Sequence, residues 1–290
     1  MSEYVIMTDS SCDLPGSLAD EMELSVLPLY VDVDGQKYMN YLDEREISFA
    51  DIYAKLRTKC PAKTSAVNMN DFLEPMENLL KAGKDVLYIG FSSGLSGTYN
   101  AGEMAAQELR ERYPERKIYT VDSLSASLGQ GLLIWHAWQE KQKGKSIEEV
   151  RDFTEATKLH LCHWFTIDDL MFLKRGGRVS GATAVVGSML SIKPIMHVDN
   201  EGHLIKVGTA RGRKASIKAL ADEAERLGAD LSEQTVFISH GDCVEEANYL
   251  ADIMRSRFNV KKVLVNYVGP VIGAHSGPGT IALFFLGKER

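Results

Sequence analysis

A strand–loop–helix order, repeated in the first half of the chain, excludes more folds than any other pattern in the sequence. Asp85–Phe91 is an apolar run of strand length, a Ser/Gly-rich loop follows it, and Tyr99–Tyr113 has helical apolar spacing. Lys117–Val121 and Ser127–Gln142 repeat the order as a second strand and a second helix. Apolar runs of this kind are typical of parallel strands covered on both faces. The pattern therefore predicts an α/β fold, with a parallel sheet between two layers of helices.

Other segments of the first half extend the same pattern. Tyr4–Thr8 and Ser25–Val33 are predicted strands, and Phe49–Lys59 and Asn70–Lys81 are predicted helices. Ser146–Glu149 has the form of a capping box, which predicts a helix that ends near residue 158. A three-layer α/β domain is therefore expected over residues 1–160.

The second half has a different character. Lys193–Val207 is a predicted hairpin with its turn at Asp199–Gly202. Three more predicted strands and one predicted helix follow: Val236–Ser239, Val244–Phe258 (the helix), Val263–Tyr267 and Thr280–Leu286. The mixture predicts a C-terminal α+β domain over residues 161–290.

The bulk composition excludes several classes of protein. The 290 residues are 44% hydrophobic and 25% charged, with a net charge of -7, so a soluble globular protein is expected and general nucleic-acid binding is not. The four cysteines are far apart, which is typical of reduced thiols in a cytoplasmic protein. Without a signal peptide or an apolar run of about 18 residues, we expect transient membrane contact at most.

The loop Phe91–Thr98 combines four hydroxyl side chains with two glycines, between a predicted strand and a predicted helix. Glycine allows close approach of a ligand, and a helix N-terminus offers unpaired N–H groups, so the loop could bind an anion. It could equally be a helix-capping loop with incidental serines. A phosphate loop of the Walker type is disfavoured because the Gly-Lys-Ser/Thr ending is absent.

The same residues allow a rival interpretation. Gly90–Gly94 fits the G-x-S-x-G pattern of a hydrolase with Ser92 as nucleophile, and Asp122 or Asp242 and then His275 follow in hydrolase order. Against this, four residues separate the pattern from its helix, and an HGGG-type oxyanion motif is absent. A serine hydrolase or esterase is the alternative function.

Several smaller motifs have simple structural interpretations. Lys63–Ser65 is predicted to be a capping loop, Lys174–Arg178 a solvated basic turn, and Gly273–Gly279 a glycine-rich loop that holds His275. His160–His163 is predicted to be core rather than a metal site. Thr209–Lys214 is the strongest basic cluster, either solvent-exposed or a docking surface for an acidic partner.

Taken together, these motifs resemble the DegV family of bacterial fatty-acid-binding proteins. Seven stretches carry the resemblance in family order: Thr8–Pro15, Lys63–Ser65, Ser92–Asn100, Val121–Ser123, Gly176–Ser180, Ile192–Pro194 and Gly269–Gly279. The chain departs from the family at Ala66-Val67, where Gln-Pro is usual, which puts the local loop shape in doubt but not the Thr64 hydroxyl.

The resemblance implies a carrier without catalytic residues or a metal. It implies a fatty acid such as palmitate, stearate or oleate, bound between two domains and presented to a fatty acid kinase, which forms an acyl phosphate for lipid synthesis. Thr64 and Ser96 would bind the carboxylate, with His275 and Arg178 beside it, and Arg211 would face the kinase. The nearby loop residues would be Ser65, Ser93, Gly94, Gly97, Asp9 and Ser10. No motif marks the site of the tail; Ala184–Ile192, with Met189, and Ile281–Phe285 are candidate walls, although each taken singly is more typical of ordinary core.

Overall fold

The structure, a computed structural model, describes residues 3–179 and 191–290. Its helices are α1 Gly16–Glu21, α2 Phe49–Arg57, α3 Met69–Lys81, α4 Thr98–Arg112, α5 Leu128–Gln142, α6 Ile147–Thr157, α7 Met171–Gly176, α8 Arg213–Leu227, α9 Val244–Phe258 and α10 Pro270–Ser276. Its strands are β1 Tyr4–Asp9, β2 Ser25–Leu27, β3 Tyr30–Val33, β4 Gln36–Met39, β5 Ala62–Ser65, β6 Asp85–Gly90, β7 Ile118–Asp122, β8 Leu161–Thr166, β9 Ile192–Val198, β10 Leu204–Arg211, β11 Thr235–His240, β12 Lys262–Tyr267 and β13 Ile281–Leu286.

The predicted parallel sheet is confirmed, with strand order β2-β1-β6-β7. Successive residues of β6 enter different cores. Val86 and Tyr88 pack in the cluster that includes α3 and α4, whereas Leu87 and Ile89 pack in the cluster that includes α5 and α6. Since side chains alternate along a strand, an apolar run can be buried on both faces. The sheet therefore lies between two layers of helices.

A small antiparallel sheet, ordered β4-β3-β5, corrects two predictions. The single strand predicted over Ser25–Val33 is two strands in different sheets, divided at Pro28, which has no N–H to donate to a strand ladder. Lys63–Ser65 is not a capping loop but belongs to β5, where Thr64 lies opposite Val31 of β3. Such a short segment has too few residues to show strand periodicity.

The second large sheet has six strands in the order β10-β9-β8-β13-β11-β12, and only β11 and β12 pair in parallel. The predicted hairpin is confirmed as β9 and β10, and the predicted helix Val244–Phe258 is α9 with unchanged bounds. Along β13, Ile281, Leu283 and Phe285 pack in the cluster that includes α8 and α9. Ala282 and Phe284 pack on the other face, in the cluster that includes α5.

Two predicted loops contain short helices. The basic turn Lys174–Arg178 overlaps the end of α7, and the first four residues of Gly273–Gly279 belong to α10. Both helices are too short to show a clear 3.6-residue period. The predicted boundary at residue 160 lies between α6 and β8, and the division into two domains stays a prediction.

Within residues 3–179 and 191–290, no helix combines the length and apolar character needed to span a membrane. All four cysteines are unpaired.

Candidate functional site

A cavity lies between the six-stranded sheet and the loops at the carboxyl end of the parallel sheet. Its empty space, mouth included, is about 930 Å³. Apolar side chains from both parts of the molecule form most of its wall, among them Leu29, Phe91, Leu95, Phe165, Ala282 and Phe284. A mostly apolar cavity with a few polar groups is the usual form of a site for a small organic molecule.

Thr64 and His275 meet at the cavity wall although 211 residues separate them. The distance from Thr64 Oγ1 to His275 Nε2 is 2.7 Å. Burial, assisted by the nearby charge of Arg178, lowers the pKa of His275 to about 4. The imidazole is therefore neutral at pH 7, and one ring nitrogen can donate a hydrogen bond while the other accepts one.

Close packing fixes the helix that carries His275. A side chain at Gly273 would overlap the Tyr53 hydroxyl, which itself donates to the Val268 carbonyl at 2.8 Å. On the other side, a Cβ at Gly176 would lie 2.2 Å from His275 Nδ1. The small residues of α7 and α10 thus let the imidazole sit where it reaches Thr64.

Ser96 lies at the N-terminal end of α4, beside the cavity. Its Oγ accepts from the Thr98 amide at 3.2 Å and is 2.9 Å from Thr98 Oγ1. Gly97 lines the cavity at the same helix end. The positive end of the helix dipole therefore adds to the hydroxyl groups in favouring a negative charge here.

Arg178 also lines the cavity, and its charge acts on His275. Its guanidinium donates to the Leu95 carbonyl at 3.3 Å and to the Gly176 carbonyl. Together with Thr64, Ser96 and His275, this places all four predicted carboxylate-binding residues on one cavity. The wall of this cavity therefore carries hydroxyl, imidazole and guanidinium groups that can donate hydrogen bonds.

The sequence model of the DegV family, whose description is "Uncharacterised protein, DegV family", matches residues 3–288. The chain belongs to the DegV family. A DegV domain-containing protein of Clostridium perfringens is 46% identical over 290 residues, which cover 100% of this chain and 99% of the relative.

Solved structures of DegV proteins have the same fold. A DegV lipid-binding protein of Thermotoga maritima has a TM-score of 0.88 at 28% identity, with 99% of each chain covered. A DegV family protein of Thermus thermophilus, described by its fatty acid binding, has a TM-score of 0.87 at 31% identity, with 99% of this chain and 100% of that chain covered.

Some of the predicted loop residues of this DegV chain line the cavity, and others lie outside its lining. Ser65 lines the cavity beside Thr64. Ser93 is exposed, and its amide donates to Asp122 Oδ1 at 3.2 Å. Gly94 packs against the Glu201 carbonyl, 2.8 Å from where a Cβ would be. Ser93 and Gly94 therefore shape the loop from outside the cavity lining.

Asp9 and Ser10 are buried at the end of β1, away from the cavity lining. Asp9 accepts from the Phe91 amide at 3.0 Å, and Ser10 Oγ accepts from the Leu29 amide at 2.9 Å. Both contacts hold residues that do line the cavity. The two polar side chains position the site by fixing its backbone.

Ser92, the alternative nucleophile, is fully buried. Its hydroxyl donates to the Gly202 carbonyl at 2.9 Å and accepts from the Gly94 amide at 3.2 Å. The histidine of the proposed triad, His275, is instead paired with Thr64. These contacts are those of a serine that fastens a loop.

The predicted docking residue and the two predicted cavity walls differ in where the structure places them. Arg211 is exposed at the end of β10, outside the cavity lining. Of the predicted wall Ile281–Phe285, Ala282 and Phe284 line the cavity. The other predicted wall, Ala184–Ile192 with Met189, and the family motif's Ser180 lie outside the described residues, apart from Ser191 and Ile192.

Sequence reasoning missed several polar residues of the cavity wall: Ser127, His163, Ser239, Ser276 and Thr280. Of the segment His160–His163, which is predicted to be core, His160 is exposed, whereas His163 is buried and also faces the cavity. These side chains come from strands and helix ends without a motif, so their shared position exists only in the folded chain. Among the described residues, no group of three or more His, Cys, Asp or Glu side chains could hold a metal ion.

Proposed function

We propose that this chain is a cytoplasmic carrier that binds one long-chain fatty acid, such as palmitate, stearate or oleate. The observation that carries the proposal is the 2.7 Å pair of Thr64 Oγ1 and His275 Nε2 on the wall of a mostly apolar cavity. The Thermus relative, described by its fatty acid binding, supports the same ligand class. The four donors Thr64, Ser96, His275 and Arg178 hold the carboxylate.

The polar groups of the cavity offset the free-energy cost of burying the charged carboxylate of the fatty acid. An unpaired carboxylate is very costly to bury, whereas charge-assisted hydrogen bonds satisfy its oxygens. His275 is neutral in the empty site, and a bound carboxylate favours its protonated form because opposite charges attract. The Thr64 hydroxyl then either donates a hydrogen bond to the carboxylate directly or links the carboxylate to the imidazole of His275.

The apolar wall supplies most of the affinity. Burying about 16 carbons, at about 0.8 kcal/mol each, gains roughly 12 kcal/mol. Lost translational, rotational and rotamer freedom offsets several kcal/mol of this gain. Residues 1–160 and 161–290 both contribute to the wall, and we regard them as two domains with the acid in a tunnel between them.

The carrier presents the carboxylate to a fatty acid kinase, which forms the acyl phosphate. Exposed Arg211 lies on the face that meets the kinase. Arg211→Glu would then slow ATP-dependent acyl phosphate formation by added kinase and leave the bound lipid unchanged. Equal rates for both forms would remove Arg211 from the docking face.

The first experiment is solvent extraction of the purified chain followed by mass spectrometry. We expect close to one fatty acid per chain, and loss of that lipid in the Thr64→Ala/Ser96→Ala variant. Ser93→Ala/Thr209→Ala is the matched control, because it removes the same two hydroxyl types from exposed positions. Absence of lipid, together with failure to bind added oleate or palmitate, would contradict the proposal.

Esterase activity would contradict the carrier assignment in another way. If the chain cleaved a chromogenic acyl ester and Ser92→Ala abolished the cleavage, the hydrolase interpretation would replace it. A carrier leaves the ester intact in both forms.

A further inference from the structure

The wall of this mostly apolar cavity includes a second histidine, His163. It lies on β8, is 1% exposed, and lines the cavity next to the edge-packed ring of Phe284, with ring centroids 5.4 Å apart. Among the described residues, neither of its ring nitrogens has a hydrogen-bond partner. Burial lowers the pKa of His163 well below its usual range, so the ring is neutral. A neutral imidazole still has one donor and one acceptor to satisfy.

Two other polar groups of this wall are already engaged with each other, whereas Ser276 Oγ, at the end of α10, also has no partner among the described residues. Ser127 Oγ donates to Asp13 Oδ2 at 2.6 Å, and Ser239 Oγ lies 3.0 Å from Ser127 Oγ. The ring of His163 packs directly against the backbone of α5, where a Cβ at Gly129 would lie 2.5 Å from Nε2. Glycine at that position lets the imidazole fit, and a hydrocarbon chain in the cavity would leave it without a partner.

The position of His163 along the strand fixes where it meets a ligand. Thr166 pairs with Ile281, five residues after the helix that carries His275, so this end of β8 is the carboxylate end of the cavity. His163 lies three residues farther along β8, roughly 10 Å away at about 3.4 Å per residue. It therefore contacts the middle of an acyl chain rather than its head.

We propose that the cavity accepts fatty acids with a hydroxyl group in the middle of the chain, and that His163 is the residue that hydrogen-bonds this hydroxyl. The inference rests on the proposed function, since it specifies the acid that the same cavity takes. A hydroxyl satisfies a neutral imidazole well, because it can accept from the N–H or donate to the bare nitrogen. Buried polar groups are generally paired in this way.

The test is competition binding on the delipidated full-length chain, with a fluorescent fatty acid displaced by stearate, 10-hydroxystearate, 12-hydroxystearate or 2-hydroxystearate. We expect at least one mid-chain isomer to bind as tightly as stearate or more tightly. His163→Phe, which keeps a ring but removes the nitrogens, should weaken that isomer about tenfold or more relative to stearate. The ratio for 2-hydroxystearate, whose hydroxyl lies at the head, should not change.

Two further variants separate chemistry from packing. His163→Gln keeps a donor and an acceptor and should retain most of the preference, whereas His160→Phe changes an exposed histidine and should behave as the wild type. If 10-hydroxystearate and 12-hydroxystearate both bind the wild-type protein at least tenfold more weakly than stearate does, the inference is wrong. This measurement needs only the wild type, so it decides the question even if no variant folds. An unchanged ratio in His163→Phe would also overturn it. Failure of stearate itself to bind would instead remove the proposed function.

Discussion

At the scale of single residues, this site depends on side chains that are small as much as on those that are polar. Thr64 and His275 can meet only because Gly273 and Gly176 leave room on both sides of α10. Gly176 is the last residue of α7 and has no left-handed backbone. Its requirement for glycine is therefore steric, and comes from the imidazole rather than from the chain's own conformation.

Gly176→Ala should lower fatty acid affinity about tenfold, because the new methyl group pushes His275 away from Thr64 and a charge-assisted hydrogen bond contributes about 1.5–3 kcal/mol. The fold should be retained, since alanine favours a helix. Isothermal titration calorimetry with oleate measures the change. Gly208→Ala is the control, because its nearest neighbour would be Ile195 Cβ at 3.8 Å. Equal affinities in the two variants would show that this packing does not position His275.

At the scale of elements, alternate residues of β13 contribute to two different properties, ligand binding and the stability of the fold. Its alternation places Ala282 and Phe284 on the cavity and Leu283 in the core that includes α8 and α9. Neighbouring residues of one strand therefore have different roles. The sequence shows only an apolar run at this position, because both faces are covered.

Ala282→Leu should reduce binding of fatty acids of 16–18 carbons while changing the melting temperature little, since the added side chain fills the cavity. Leu283→Ala should instead lower the free energy of unfolding by about 2–5 kcal/mol and leave the bound lipid profile intact. Urea titration and lipid extraction of both variants measure the two effects. A loss of lipid in Leu283→Ala without a loss of stability would contradict this division.

At the scale of the whole molecule, buried ionisable groups link distant segments. The Arg290 guanidinium donates to the carbonyls of Leu124 at 2.8 Å, Asp199 at 3.0 Å and Leu161 at 3.0 Å, so it joins the loop after β7, the β9–β10 turn and β8. Burial lowers the pKa of Arg290 to about 10, which still leaves it charged at pH 7. Such groups make the stability of the whole fold depend on pH.

Acid should destabilise the delipidated chain between about pH 6.5 and 4. Burial lowers the pKa of His136, His240 and His275 to about 4, so in this window the unfolded chain takes up protons that the folded chain does not. Asp13 acts in the opposite direction, because burial raises its pKa to about 7 and the folded chain is protonated there first. Its contribution to stability is present at acid pH and is lost as the pH rises through about 7.

The opposite effects of the buried histidines and of Asp13 on stability can be tested separately by measuring the melting temperature at pH 6.5 and pH 4. His136→Gln should reduce the loss of stability between these values, and Asp13→Asn should increase it. Changes in the same direction for both variants would contradict the assignment of these buried groups.

Much of the architecture is predictable from the chain because it follows from local patterns. The apolar run that forms β6 and the capping box at Ser146 fix their elements with local information, and α9 begins and ends where its spacing predicts. The ordered motifs indicate the family, and with it Thr64, Ser96, Arg178 and His275. β5, α7 and α10 are not predictable in this way, because elements this short have almost no periodicity.

The α/β sheet, the family and the hydroxyl groups available to a ligand all follow from the order of residues along the chain. Three features become visible only in the folded chain: Thr64 lies on a strand in hydrogen-bond contact with His275, Ser92 fastens a loop, and His163 faces the cavity. The physical reason is that periodicity and capping act over a few residues, whereas a cavity is the space left between elements far apart in the chain. Which side chains border that space depends on packing that no local pattern records.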